Sequence, residues 1–203
     1  GIALGVATLI IVMSVMNGFR AELMQRILGL NGHMGVYSLT SAPLTGFDAI
    51  AAKVAALPGV NRVIPAVEGQ VLVTANSVAA GAVVRGVRPE DIRRRAIIAD
   101  NIREGSLDDF DGRSSVIVGT RLAAKFGVRV GDTIRLVSPQ TNQSAFGSVP
   151  RSKRYRIAAL YEVGMFEYDS AFVFMPLEAA QLYFQMQEGV SNLELFFDDP
   201  ERV

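Results

Sequence analysis

"GIALGVATLIIVMSVMNGF" runs from Gly1 to Phe19 without a charged residue, and the first charge is Arg20. As a helix it would be roughly 28 Å long, close to the hydrocarbon thickness of a bilayer. A signal peptide needs a basic start and a small-residue cleavage site, and neither is visible. A buried core helix this uniformly apolar would be long for that role. The stretch is therefore read as a transmembrane helix, and Gly1 in mid-pattern is expected to be a cut start. Beyond Phe19 the pattern turns amphipathic. Leu23, Met24, Ile27 and Leu28 alternate with Arg20, Glu22, Gln25 and Arg26 at a helical period. The helix is expected to leave the bilayer and stop near Gly29 or Gly32.

The rest is balanced. Of 203 residues half are hydrophobic, and the net charge is zero. That balance argues against nucleic acid as a partner, which usually demands a basic excess. With no cysteine, disulfides and thiolate metal sites are excluded.

Past the helix the chain alternates short elements. "HMGVYSL" predicts a strand. "GFDAIAAKVAAL" predicts a helix capped by Thr45 and ended by Pro58-Gly59. "VNRVIPAV" predicts a second strand, "QVLVTA" and "VAAGAVVRGV" a hairpin about Asn76-Ser77, and "PEDIRRR" a short helix with proline in its first turn. "NIREGSLDDFDGRS" reads as a polar loop. "SVIVG" is a short buried strand, and "TRLAAKFG" a helix closed by Gly127. "DTIRLV", "YRIAALYEV" and "SAFVFM" follow as strands, then a helix opened by Pro176 and a last strand, "SNLELFF". The chain ends at Val203 without closing signals, so a cut C-terminus is also expected. The fold class is α+β.

Catalytic chemistry is not visible. There is no G-x-x-x-x-G-K-[ST] or G-x-G-x-x-G phosphate loop. His33 is the single histidine, so no histidine cluster is possible, and a lone histidine beside a helix end is expected to be structural. "DDFDG" (Asp108–Gly112) looks like part of a calcium loop but lacks its bidentate glutamate. Glu162, Glu167 and Asp169 lie close in sequence, with no nucleophile beside them. No cofactor is expected.

One segment stands apart. Between Pro139 and Pro150 there is no charge, and Phe146 is the only aromatic. Most hairpins close in two to five residues; this one is read as a loop of about a dozen. Arg135, Arg151, Lys153, Arg154 and Arg156 crowd its base. Two readings stand on the residues alone. An exposed aromatic above a positive collar suits protein docking. A mobile tip whose basic neighbours keep edge strands soluble fits equally.

"SVMNGFRAELMQRILGLNGH" resembles the end of the first membrane helix in the LolC/LolE permeases of the bacterial lipoprotein-releasing ABC transporter. "GVNRVIPAV", "VIVGTRLAAKFGVRVGDTIRLV" and "FVFMPLEAAQLY" follow in the family's order, so the resemblance covers essentially the whole chain. The "G…LA…GV..GD" pattern is shared with wider MacB-like permeases. The resemblance implies a transmembrane helix and periplasmic extension over 1–31. It implies a membrane-proximal mixed α/β subdomain over 32–68, to which 190–203 returns, and a β-rich subdomain over 69–189 carrying the 139–150 loop. It implies the bacterial inner membrane, with the large domain in the periplasm, and a non-catalytic permease subunit.

The partners so implied are a LolA-like periplasmic carrier, a LolD-like ATPase, a LolE-type permease or a second copy of the chain, and acylated lipoprotein. The carrier-capturing hook of LolC-type subunits matches Pro139, Gln140, Thr141, Asn142, Gln143, Ser144, Ala145, Phe146, Gly147, Ser148, Val149 and Pro150. Arg135 and Lys153 match the pad beside it. The family tip often has proline before the apolar residue, where Ala145 stands here. "FGSVP" leans toward a LolC-type or hybrid subunit. Ile10, Met13 and Phe19 are expected to line a lipoprotein cavity. Two alternatives remain: a MacB-like or FtsX-like permease with another periplasmic partner, or a membrane-anchored periplasmic sensor.

Overall fold

The apolar run forms one helix, α1 (Ile2–Leu30). Its first part, Ile2–Arg20, is long and apolar enough to cross a membrane, and none of it is buried against the rest of the chain. The computed structural model describes residues 2–40, 42–144 and 147–198, with side chains for all of these but 21, 23, 25–28, 140–144 and 147–149.

The chain then forms β1 (Met34–Tyr37) and α2 (Phe47–Ala55). The helix starts from Gly46, at φ 61°, and no side chain caps it. The expected Thr45 cap is therefore incorrect: the left-handed turn at Gly46 puts Thr45 one residue outside. β2 (Val60–Ala75) follows as a single strand where two were expected. Its first part, from Val60 to Ala66, pairs with β9 (Asn192–Phe197), and Val67 to Ala75 pair with β3 (Val78–Val87). Asn76 and Ser77, at φ 48° and 65°, make the tight turn between β2 and β3, the geometry of a two-residue hairpin.

α3 (Pro89–Arg93) opens on its proline as expected. The predicted polar loop is more ordered than its composition implies. α4 (Ala96–Ala99), β4 (Ile102–Gly105) and a 3₁₀ turn over Leu107–Asp109 occupy it, held by the fully buried Phe110. Next come β5 (Ser115–Gly119) and α5 (Thr120–Phe126), closed by Gly127 at φ 63°. β6 (Thr133–Ser144), β7 (Gly147–Tyr161), α6 (Phe166–Ala171), β8 (Phe172–Pro176) and α7 (Leu177–Phe184) complete the order.

The pairings of six strands return to their start: β2 to β3, β3 to β8, β8 to β5, β5 to β7, β7 to β6, and β6 back to β2. They close into a ring, which removes open edges; β9 and β1 extend the sheet from the early part of β2. Two cores form on the two faces. Val116 and Val118 enter one and Ile117 the other; Val173 and Met175 oppose Phe174 in the same way. Burial on both faces is why "SVIVG" is continuously apolar rather than alternating. A Cβ on Gly119 would stand 2.2 Å from the Asp169 carbonyl oxygen, so only glycine fits where β5 meets α6.

Candidate docking site

The segment read as a loop is a two-stranded ribbon. β6 and β7 stay paired from Thr133↔Arg156 to Val137↔Ser152, then again from Thr141↔Pro150 to Ser144↔Gly147. Between the two blocks the register slips, so that Ser138, Pro139 and Gln140 stand opposite Arg151 alone. A bulge of this kind bends the strands and strengthens their twist. Pro139 sits in it, where a missing N–H does least harm to the ladder. The ribbon's polar composition carries no apolar alternation, so nothing in the sequence pattern marks it as strand. Of the proposed hook, Pro139 and Pro150 are exposed. The backbone of Gln140, Thr141, Asn142, Gln143, Ser144, Gly147, Ser148 and Val149 lies in the two strands. Ala145 and Phe146 lie outside the described residues.

β6 leaves the ring from Leu72↔Val137, Val73↔Leu136 and Thr74↔Arg135. An open groove of about 420 Å³ lies at this root, lined by Val71, Leu72, Val137, Pro139 and Pro150 among others. Leu72 is 44% exposed in it, so the groove offers apolar surface next to both prolines.

The two proposed pad residues do not share a face. Ile134 and Leu136 point into the core, so Arg135 between them points out. Its Nη1 donates to Ser152 Oγ at 3.4 Å. Lys153 stands across from Leu136 in the register and so lies on the core side. Its Nζ donates to the Arg113 carbonyl at 3.1 Å and sits 5.1 Å from the Tyr155 ring centre. Arg151, on the same side, donates to the Tyr183 carbonyl. The Tyr155 and Tyr183 rings meet edge to face, and both hydroxyls are buried without a hydrogen-bond partner among the described residues. Burial pushes the Tyr183 hydroxyl up to about 12, against the opposing charge of Arg151. The root of the ribbon therefore has buried aromatic rings on its inner side and basic side chains on both.

The other predicted positions fall elsewhere. Ile10, Met13 and Phe19 are 59%, 58% and 63% exposed on α1. At about 100° per residue Phe19 points about 180° away from Ile10, so the three do not line one face. His33 is structural: its Nδ1 accepts from the Phe197 N–H at 3.0 Å. In "DDFDG" Phe110 is buried, and Ser106 Oγ accepts from the Asp108 N–H at 3.0 Å, a turn rather than a cation loop. Asp169 accepts from the Val163 and Gly164 N–H groups at 2.9 and 3.1 Å and so fixes a bend. Glu162 pairs with Arg103 at 3.2 Å. The buried contacts among Leu30, Arg85, Arg95 and Glu194 have no local sequence signal, because these residues are scattered along the chain.

A ring of strands carrying a two-stranded ribbon, joined to an apolar helix long enough to cross a membrane, is the architecture to be placed among known folds. The model of the MacB-like periplasmic core domain matches residues 1–203, and the chain belongs to that family. It is 32% identical over 204 residues to the lipoprotein-releasing system transmembrane protein LolC of Xylella fastidiosa (strain Temecula1 / ATCC 700964), covering 100% of this chain and 49% of that protein. It is 28% identical to the LolE protein of Haemophilus influenzae, covering 98% and 49%. The chain thus spans about half the length of these curated relatives. Among solved structures, the extracellular domain of the ABC-type transporter YknZ from Gram-positive bacteria superposes with a TM-score of 0.53 at 13% identity, covering 80% of this chain and 78% of that one. The periplasmic region of MacB from Actinobacillus actinomycetemcomitans gives 0.51 at 11%, covering 78% and 66%. At these identities the likeness concerns the fold.

Proposed function

We propose that this chain is the first membrane helix and periplasmic domain of a permease subunit in an ABC transporter that releases lipoproteins from the inner membrane. The helix over 1–31 holds it in that membrane. The segments 32–68 and 190–203 form the membrane-proximal part, and 69–189 the part that carries the docking ribbon in the periplasm. The subunit is not itself an enzyme; a LolD-like ATPase hydrolyses ATP on the cytoplasmic side, and a LolE-type subunit or a second copy completes the membrane part. Acylated lipoprotein passes to a LolA-like carrier held by residues 139–150, with Arg135 and Lys153 beside it. Ile10 and Met13 share a lipoprotein-facing side of α1, and Phe19 looks the other way.

The observation that carries this reading is the ribbon, a two-stranded extension of β6 and β7 with an apolar groove at its root. The names of the relatives supply the cargo. Acyl chains resist crossing water at about 0.8 kcal/mol per CH₂, so a carrier has to be docked before release. Two cationic faces suit a carrier that straddles the ribbon, with the charges steering association.

Phe146 is the proposed anchor. An aromatic that fills a partner's pocket loses about 1–2 kcal/mol or more on truncation, so Phe146→Ala is expected to weaken binding at least about fivefold. The measurement is calorimetric titration of a LolA-like carrier into the nanodisc-embedded subunit, with thermal melts alongside. A lowered melting temperature with unchanged binding would make Phe146 a packing residue and remove the docking assignment.

A further inference from the structure

The last residue of α1, Leu30, is fully buried, and its carbonyl is gripped by two guanidinium groups. Arg95 Nη1 donates to it at 2.6 Å and Arg85 Nη1 at 3.2 Å. Both arginines also meet Glu194 on β9: Arg95 Nη2 at 2.6 Å and Arg85 Nη1 at 3.4 Å. The side chains of Arg95, Glu194 and Arg85 are only 4%, 6% and 7% exposed. Arg85 extends the cluster to Asn31 Oδ1 and to Glu68, at 3.0 Å from Oε2. Asn31 in turn donates to the Tyr168 hydroxyl. Gly32 passes so close that a Cβ there would stand 2.8 Å from Glu194 Cβ.

Positive charge at a helix C-terminus is favourable by itself. Two buried arginines held on one carboxylate do more: sliding the helix by one residue would pull the Leu30 carbonyl away from both and leave buried N–H donors unsatisfied, which apolar packing would not penalise. The cluster is also wired to β2. Glu194 pairs with Ile64 and Arg85 with Glu68, and β2 continues without a break to Leu72, where the ribbon begins. From Ile64 to Leu72 is about 26 Å of hydrogen-bonded strand.

We propose that the Arg85–Arg95–Glu194 cluster is the joint that makes α1 and the ribbon-bearing sheet move as one body. It rests on reading α1 as a permease helix, and it does not depend on which cargo is carried.

The test uses the full transporter with its ATPase in nanodiscs. Spin labels go on Met24→Cys of α1 and Val78→Cys at the β2–β3 turn, both partly exposed. Without the substitution, the distance distribution is expected to be narrow and unchanged when an ATP analogue is trapped. With Glu194→Gln it is expected to widen at least about twofold, and ATP-driven lipoprotein transfer to fall at least about tenfold while ATP hydrolysis stays within about twofold. Arg95→Lys keeps the charge but loses the two-armed bridge, and the same result is expected. Arg103→Gln, which breaks the exposed pair with Glu162, is expected to change neither. Equal widths in all variants would overturn the proposal, as would equal widening in the Arg103 variant. So would failure of both cluster variants to fold, which would make the cluster a folding element. If the unsubstituted transporter moves no lipoprotein but the distances behave as expected, the joint stands and the cargo assignment falls.

Discussion

Asp91 sits in the first turn of α3 at 8% exposure, with Oδ2 buried and unpartnered among the described residues. Burial pushes its carboxyl above the ordinary value; Glu90 adds to the shift, and Arg88, Arg95 and Arg62 oppose it. A raised value in the folded state means that the folded chain holds the proton more tightly than the unfolded chain. Its stabilising contribution is therefore complete below the unfolded value and is lost as pH rises through the folded one. At neutral pH the ionised side chain works against the fold. Asp91→Asn is expected to raise the melting temperature at about pH 7, with the gain shrinking as the pH falls toward the ordinary carboxylate value of about 3.9. A lower melting temperature at neutral pH would show that the arginines outweigh the burial. At this scale the sequence was partly legible. His33 as a structural histidine could be read from its isolation, but the Phe197 N–H that it accepts is 164 positions away. Asp91 and Glu194 look like surface charges in sequence, because local patterns contain no sign of burial by remote strands.

The elements were read best where their ends carry specific chemistry: proline opening α3, left-handed glycine closing α5, and the turn at Asn76-Ser77. That turn gives a clean test. Ser77 has φ 65°, a conformation that disfavours side chains by about 1 kcal/mol. Ser77→Gly is expected to stabilise the chain by a few tenths to about 1 kcal/mol in chemical denaturation. Asn76→Gly is expected to do the reverse, since Asn76 Nδ2 donates to the Phe126 carbonyl at 2.9 Å and ties the hairpin to α5. If both glycines act alike, the tie carries no weight. Elements without end signals were missed. α4 has four residues and α6 six, too short for a helical period to emerge. The ribbon is not legible as strand because its polar residues show no period-2 alternation.

At the scale of the whole molecule, the helix, the sheet and the ribbon form one path. β2 belongs both to the sheet that receives α1 and to the ring from which the ribbon departs, and this continuity was invisible in sequence. "VNRVIPAV" and "QVLVTA" looked like separate strands because Glu68-Gly69-Gln70 interrupts the apolar pattern; in the fold, Glu68 is the outer partner of Arg85. The family, by contrast, was legible from the "MNGF" segment and the order of the strands, since both survive without knowledge of pairing.

If the ribbon makes release productive by holding a carrier, as proposed, removing it must uncouple transfer from ATP hydrolysis. The direct test is transfer of acylated lipoprotein from proteoliposomes containing the full transporter to a soluble LolA-like carrier, with and without ATP. The comparison is a variant in which residues 140–149 are replaced by a two-residue turn. The expected result is ATP-dependent transfer that falls at least about tenfold in the shortened variant, equivalent to about 1.4 kcal/mol or more of lost coupling, while ATP hydrolysis continues. Undiminished transfer by the shortened variant, at equal amounts of folded transporter, would contradict it.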